Sequence, residues 1–223
     1  MTGNSDMPAP LLAQSVEQML AGLAEKRKAA SRVEPGKSIA LVVVDMQYFF
    51  LPDGDPAIDA ALTAVRRLAD HARSLSIPVV LIRNVFDRPE QINPFWMMRM
   101  GRPFILRSDP SSQLHDRLGR VDSDIVVDKP HASAFTGSTL HDQLSIRGID
   151  TLLVTGTLTH ACVRATVVEG AARHYRMMVV EEGTYDRDPI SGAVALYDMA
   201  NGYGNVIALD EAITLLDQQA GAT

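Results

Sequence analysis

The sequence predicts an α/β fold: a doubly wound, three-layer α/β/α arrangement on a mainly parallel sheet of six strands. Three observations predict it. Short, largely β-branched runs recur at 39–44, 77–82, 124–127, 151–155, 177–180 and 205–208, and they are continuously apolar rather than alternating, as strands covered on both faces are. Helical apolar spacing fills the intervals, for example at 60–75, 139–147 and 163–174. The 223 residues, 46% of them apolar, supply the core of one such domain, and right-handed crossovers then put helices on both faces.

Taken in order, residues 11–30 come first. Leu12, Val16, Met19, Leu20 and Leu23 give them one apolar helical face. The turn Glu34-Pro35-Gly36 then separates a helical extension, 1–36, from the domain proper, 37–223. The extension is expected to pack on the domain or on another subunit.

Composition narrows the function. A net charge of −6 with no basic block argues against nucleic acid, whose phosphates need several cations to neutralise them. No apolar stretch approaches the roughly 18 residues of a membrane span, and no secretion signal is evident, so a cytoplasmic protein is expected. The single cysteine excludes an intrachain disulfide framework and a cysteine-based zinc cluster.

In a doubly wound sheet, ligands sit at the carboxyl ends of the strands, near the reversal of strand order. The first strand ends in Asp45, the third in Asp128-Lys129-Pro130, and the fourth leads through Gly156-Thr157-Leu158-Thr159-His160-Ala161 to Cys162. Singly, these read as a turn cap, a solvated charge and an inert buried thiol. Together on one edge they form a nucleophile with a base and a cation. With Thr159 as N-cap, Cys162 falls in the first helical turn. The helix terminus and Lys129 are then expected to lower the thiol pKa, while Asp45 opposes this and accepts its proton.

At these residues the sequence resembles the isochorismatase-like cysteine hydrolase superfamily, whose fold is Rossmann-like. The resemblance covers about 38–210. It rests on Val43-Val44-Asp45-Met46-Gln47, on Lys129-Pro130 with Ser133-Ala134-Phe135-Thr136-Gly137-Ser138-Thr139-Leu140, and on Val154-Thr155-Gly156 continuing from Thr159 to Thr166. The segment around Cys162, with Tyr185-Asp186-Arg187 and Leu196-Tyr197-Asp198-Met199, is most similar to the N-carbamoylsarcosine amidase and maleamate amidase branch.

The resemblance implies Cys162 as nucleophile, Asp45 as general base and Lys129 as the charge-positioning group. It also implies a cis peptide at Thr157–Leu158 and an oxyanion hole from the N–H groups of Leu158 and Cys162. The implied reaction is hydrolysis of a small amide or ureido compound through a thioester, with release of ammonia. Family members are commonly homo-oligomers, so a dimer or tetramer is expected. Related nicotinamidases hold a metal through an Asp and paired histidines after the second strand. Here 83–90 contains no His, so neither metal nor cofactor is expected.

His160-Ala161 departs from the small residues usual in the amidase branch, and true isochorismatases carry a histidine at that place. One alternative is therefore a vinyl-ether hydrolase using Asp45 as acid. Another is a non-catalytic or redox-responsive binding protein.

The pocket is expected to draw on the aromatic, Met-rich connection 84–112, which holds Phe95, Trp96 and Phe104 and reads as a lid or an oligomer contact. Arg83, Arg88, Arg99, Arg102 and Arg107 concentrate in 83–107, and one of them could anchor a substrate carboxylate. Gln47, Phe50, Trp96, Arg99 and His160 are the substrate-binding candidates. Arg164 is expected to make a structural ion pair.

Overall fold

A computed structural model describes residues 9–101 and 105–221, with side chains from Ser15 onward except Met100. The strands β1 (Ile39–Val44), β2 (Val79–Asn84), β3 (Ile125–Lys129), β4 (Thr151–Thr157), β5 (Arg176–Tyr185) and β6 (Asn205–Ile207) pair in parallel in the order β3-β2-β1-β4-β5-β6. This is the doubly wound sheet expected. Strand order reverses between β1 and β4, where Val44 lies opposite Gly156.

Burial explains the continuous apolar runs. Alternate side chains of β1 enter two cores: Leu41 and Val43 join α2 (Pro56–Ser74) and α7 (Leu209–Gly221), whereas Ala40, Val42 and Val44 join α4 (Leu140–Ser145), α5 (Arg164–Ala172) and α6 (Pro189–Gly202). The helix starts follow from local chemistry. Asp55 caps α2 by accepting from the Ala57 N–H at 2.9 Å, with Pro56 at the first position, whose absent N–H needs no partner. Asp188 and Pro189 do the same for α6.

Strand bounds differ from expectation by a few residues, and at β2 and β5 the cause is visible. β2 starts at Val79 because Pro78 has no N–H for the ladder. β5 runs on through Glu181 and Glu182, charges that read as a strand end in sequence. Both are engaged: Glu181 pairs with Arg27, and Glu182 accepts the Leu209 N–H at 2.9 Å. A register shift after Val154 lets Thr157 pair with Tyr185, which carries β5 to the site edge.

The extension forms α1 (Ala9–Lys28), which packs on α6 of its own domain. Arg27 pairs with Glu181 and Arg32 with Glu211, while the Asn205 amide brackets Val33, accepting its N–H at 2.9 Å and donating to its carbonyl at 2.8 Å. Residues 1–8 and the Leu12 side chain lie outside the described residues. No described helix is long and apolar enough to cross a membrane.

Candidate active site

Three elements end together at the strand reversal. Asp45, directly after β1, takes a left-handed backbone (φ 51°), and its side chain is fully buried. Lys129, the last residue of β3, is 1% exposed and reaches under the edge so that Nζ donates to Asp45 Oδ2 at 2.7 Å and to the His131 and Ala132 carbonyls at 2.8 Å each. All three ammonium hydrogens are thereby used, which is what makes a buried Lys tolerable. Asp45 Oδ1 is buried and has no full hydrogen bond, and the Cys162 thiol beside it is close enough for the two to influence each other's ionisation.

Cys162 sits in a single wide turn, Thr159–Val163, of π-helical form that leads into α5. Leu158, not Thr159, occupies the cap position, and no side chain caps the turn. The Thr157–Leu158 peptide is cis, as the resemblance implies. Ala161 and Val163 N–H both donate to the Leu158 carbonyl, at 3.1 and 3.2 Å. Neither the Leu158 nor the Cys162 N–H donates to an acceptor outside its own strand or turn. Thr166 ties the turn to the loop after β3: its hydroxyl donates to the Cys162 carbonyl at 2.7 Å and accepts the Ala134 N–H at 2.9 Å.

The electrostatics correct one expectation. Burial pushes the Cys162 thiol up, the Asp45 charge adds to the rise, and Lys129 opposes both. Burial therefore favours the neutral thiol, and Lys129, whose hydrogens go to Asp45 and two carbonyls, offsets that rise only in part. Burial also raises the Asp45 carboxyl, against the Lys129 ammonium, so the adjacent acceptor is a stronger base than an ordinary aspartate.

The substrate-binding candidates fare differently. Gln47 is fully buried, and its amide is saturated by backbone: Nε2 donates to the Asn84 and Ser112 carbonyls at 2.9 and 2.6 Å, and Oε1 accepts the Asn84 N–H at 2.8 Å. It brackets the end of β2 against the long connection and has no group left for a substrate. Phe50 belongs to the core beneath β1, edge-on to Phe49. Trp96 and Arg99 are exposed on α3 (Pro94–Met100).

Arg83 holds Asp128 through two bonds of 2.8 and 3.0 Å, and Arg107 bonds Asp87 and Asp128, both at 2.6 Å. Arg102 and Phe104 lie outside the described residues. His160 turns toward Asp186. Arg164 makes the expected ion pair, with Asp198 at 3.3 Å. Among the described residues no three His, Cys, Asp or Glu side chains converge as a metal site. Thr166 and Asp186 are contributors that reasoning on residue types missed, although both stand within the quoted motifs.

A doubly wound sheet carrying a buried carboxylate, ammonium and thiol at its reversal is the frame of an enzyme of the doubly wound α/β class. Residues 39–211 match the Isochorismatase domain family, and the chain belongs to that family of hydrolases. It is 29% identical over 224 residues to N-carbamoylsarcosine amidase of Arthrobacter sp, covering 96% of this chain and 85% of that one. It is 26% identical over 196 residues to maleamate amidohydrolase of Pseudomonas putida, covering 85% and 92%. A cysteine hydrolase structure from Pseudomonas syringae pv. phaseolicola shares the fold with a TM-score of 0.78 at 21% identity, covering 85% and 96%.

Proposed function

We propose that the protein is a cysteine amidohydrolase that cleaves a small amide or ureido compound bearing a carboxylate and releases ammonia. The observation that carries this reading is the asymmetry at Asp45: Oδ2 is held by Lys129 at 2.7 Å, whereas buried Oδ1 has no hydrogen-bond partner, and in this reading Oδ1 takes the Cys162 proton. The relatives' names support the substrate class, since N-carbamoylsarcosine and maleamate both join a carboxylate to a terminal –NH2 group.

In this mechanism Asp45 takes the thiol proton as Sγ attacks the carbonyl carbon. Transfer becomes favourable only as the new C–S bond removes charge from sulfur, so a raised thiol pKa is compatible with attack. The Leu158 and Cys162 N–H groups stabilise the oxyanion, each such donor being worth on the order of a hundredfold or more. Asp45 then gives its proton to the departing nitrogen, ammonia leaves, and a thioester remains. A water, deprotonated by the same carboxylate, attacks the thioester; the acid departs and the thiol is regenerated. Lys129 keeps Asp45 in place and balances its charge throughout. These steps use protein groups alone.

Ammonia release from a panel of ureido and amide acids by the wild type and Cys162→Ala tests the reading. The wild type is expected to turn over members of the panel and the folded variant none. One observation favours a second reading: the raised Asp45 carboxyl would suit an acid that protonates a vinyl ether. Turnover that survives alkylation of Cys162 would select it. The proposal also takes the working form as a cytoplasmic homodimer or homotetramer, which sedimentation velocity and cell fractionation would check.

A further inference from the structure

The turn that carries Cys162 is held from one side by a carboxylate the mechanism does not use. Asp186, one residue beyond β5, is 3% exposed at its side chain. Its Oδ2 accepts both the backbone N–H of His160 at 2.8 Å and the His160 Nδ1–H at 2.7 Å. A carboxylate has no hydrogen to give, so Nδ1 carries the proton. The other oxygen, Oδ1, accepts the Asp188 N–H at 3.2 Å, and Gly192 of α6 lies so close that a Cβ there would meet the Asp186 Cβ at 3.0 Å. Asp186 is thus fixed by its own neighbours and in turn grips the turn.

The turn also packs against α5 and α6, and this carboxylate adds directed hydrogen bonds to that packing. Thr159 and Asp186 border a cavity of about 330 Å³ that opens between them and α1, with Leu20, Leu23, Arg27 and Leu196 on its walls. At Thr159 the turn thus borders a cavity on this side, whereas on the other side the Thr166 hydroxyl holds the Cys162 carbonyl.

We propose that Asp186 is a positioning residue that acts through His160 to hold the Cys162 thiol and the Leu158 and Cys162 N–H groups in register with Asp45. The proposal rests on the amidohydrolase reading above, and it gives His160 a task other than substrate contact. His160 presents its Nδ1–H to Asp186 and leaves the rest of the ring 47% exposed at the surface.

The test compares Asp186→Ala, Asp186→Asn, His160→Ala, His160→Asn and the double alanine variant with the wild type. Two quantities are read: kcat and KM for ammonia release, and the deuterium-exchange rate of the turn peptide relative to the β1 and β4 peptides. A misplacement of about 1 Å at a reacting group can cost on the order of a hundredfold, so Asp186→Ala is expected to lower kcat about 10- to 100-fold with little change in KM. Its turn peptide should exchange faster while the strands stay protected. His160→Asn, whose amide N–H can replace Nδ1–H, should recover most of the kcat that His160→Ala loses. The double variant should be no worse than Asp186→Ala, because the ring hydrogen bond that His160→Ala removes is already lost with Asp186.

Wild-type kcat and exchange in folded Asp186→Ala would overturn the proposal, as would full additivity in the double variant. If Asp186→Ala does not fold, Asp186→Asn carries the same two readouts. Exchange needs no substrate, so the positioning role is decided even without turnover. Retained ammonia release by Cys162→Ala would instead overturn the amidohydrolase reading and leave the exchange result standing.

Discussion

Asp45 Oδ2 and Lys129 Nζ meet at 2.7 Å with neither side chain exposed to solvent. They come from strands separated by β2, and their contact spans the sheet edge on which Cys162 also stands. Removing one member of such a pair leaves a buried charge without its partner. Lys129→Met is expected to cost about 3–5 kcal/mol in urea unfolding and to abolish turnover. Adding Asp45→Asn should restore much of that stability and none of the activity, since two neutral groups no longer oppose burial.

The pH–rate profile should be displaced upward at both ends. The mechanism needs Asp45 ionised and Cys162 protonated. Burial raises the carboxyl above its ordinary value of 3.8, so kcat/KM should fall with acid through a pKa above the ordinary aspartate range. Burial raises the thiol too, so the alkaline fall should lie above the free-thiol value of about 8.5. Both limbs belong to the coupled pair rather than to either residue. For stability the sign is opposite on the acid side. A raised carboxyl favours the folded state below 3.8 and loses that contribution as pH rises through its folded pKa. Unfolding free energies of the wild type and Asp45→Asn between pH 4 and 8 should therefore converge or cross in that direction.

Gly156 shows how closely β1 and β4 approach. Its φ is 123°, and a Cβ would lie 2.1 Å from the Val44 carbonyl oxygen. Gly156→Ala must push apart the two strands that carry Asp45 and lead to Cys162. A loss of at least about 2 kcal/mol is expected in chemical denaturation, together with a kcat reduced more than KM is changed.

Gln47 and Phe50 should behave as structural residues. Gln47→Leu strips three hydrogen bonds and strands the Asn84 N–H and two carbonyls in the interior, costing about 3 kcal/mol or more. Phe50→Ala should cost about 3–5 kcal/mol through the cavity it leaves in the core. Arg99→Ala, on exposed α3, should leave unfolding within about half a kcal/mol of wild type. Thermal and urea unfolding check all three.

The sheet and its candidate site edge were legible because burial on two faces writes itself as unbroken apolar runs, and because Asp45 and Lys129 stand at the ends of two of them and Cys162 in the turn after a third. The end of β5 was not, since Glu181 and Glu182 look like solvated charges until Arg27 and the Leu209 N–H are brought to them by the fold. Gln47 misled for a related reason. An amide beside a catalytic aspartate looks free to bind, and only the folded path of Asn84 and Ser112 shows that every one of its hydrogen bonds is taken by backbone. The upward push on the thiol escaped sequence reasoning as well, because a helix start and a nearby lysine argue for a thiolate, while the degree of burial and the direction of the lysine's hydrogens are properties of the folded edge alone.

The central claim, that Cys162 carries the acyl group while Asp45 moves the protons, is met most directly by rapid-quench mass spectrometry of the protein turning over a ureido or amide acid. The mechanism predicts a transient mass increase equal to the acyl fragment, mapped to the peptide containing Cys162, reversed by hydroxylamine and absent from Cys162→Ala. Steady turnover with no adduct, and undiminished after carboxamidomethylation of Cys162, would contradict it.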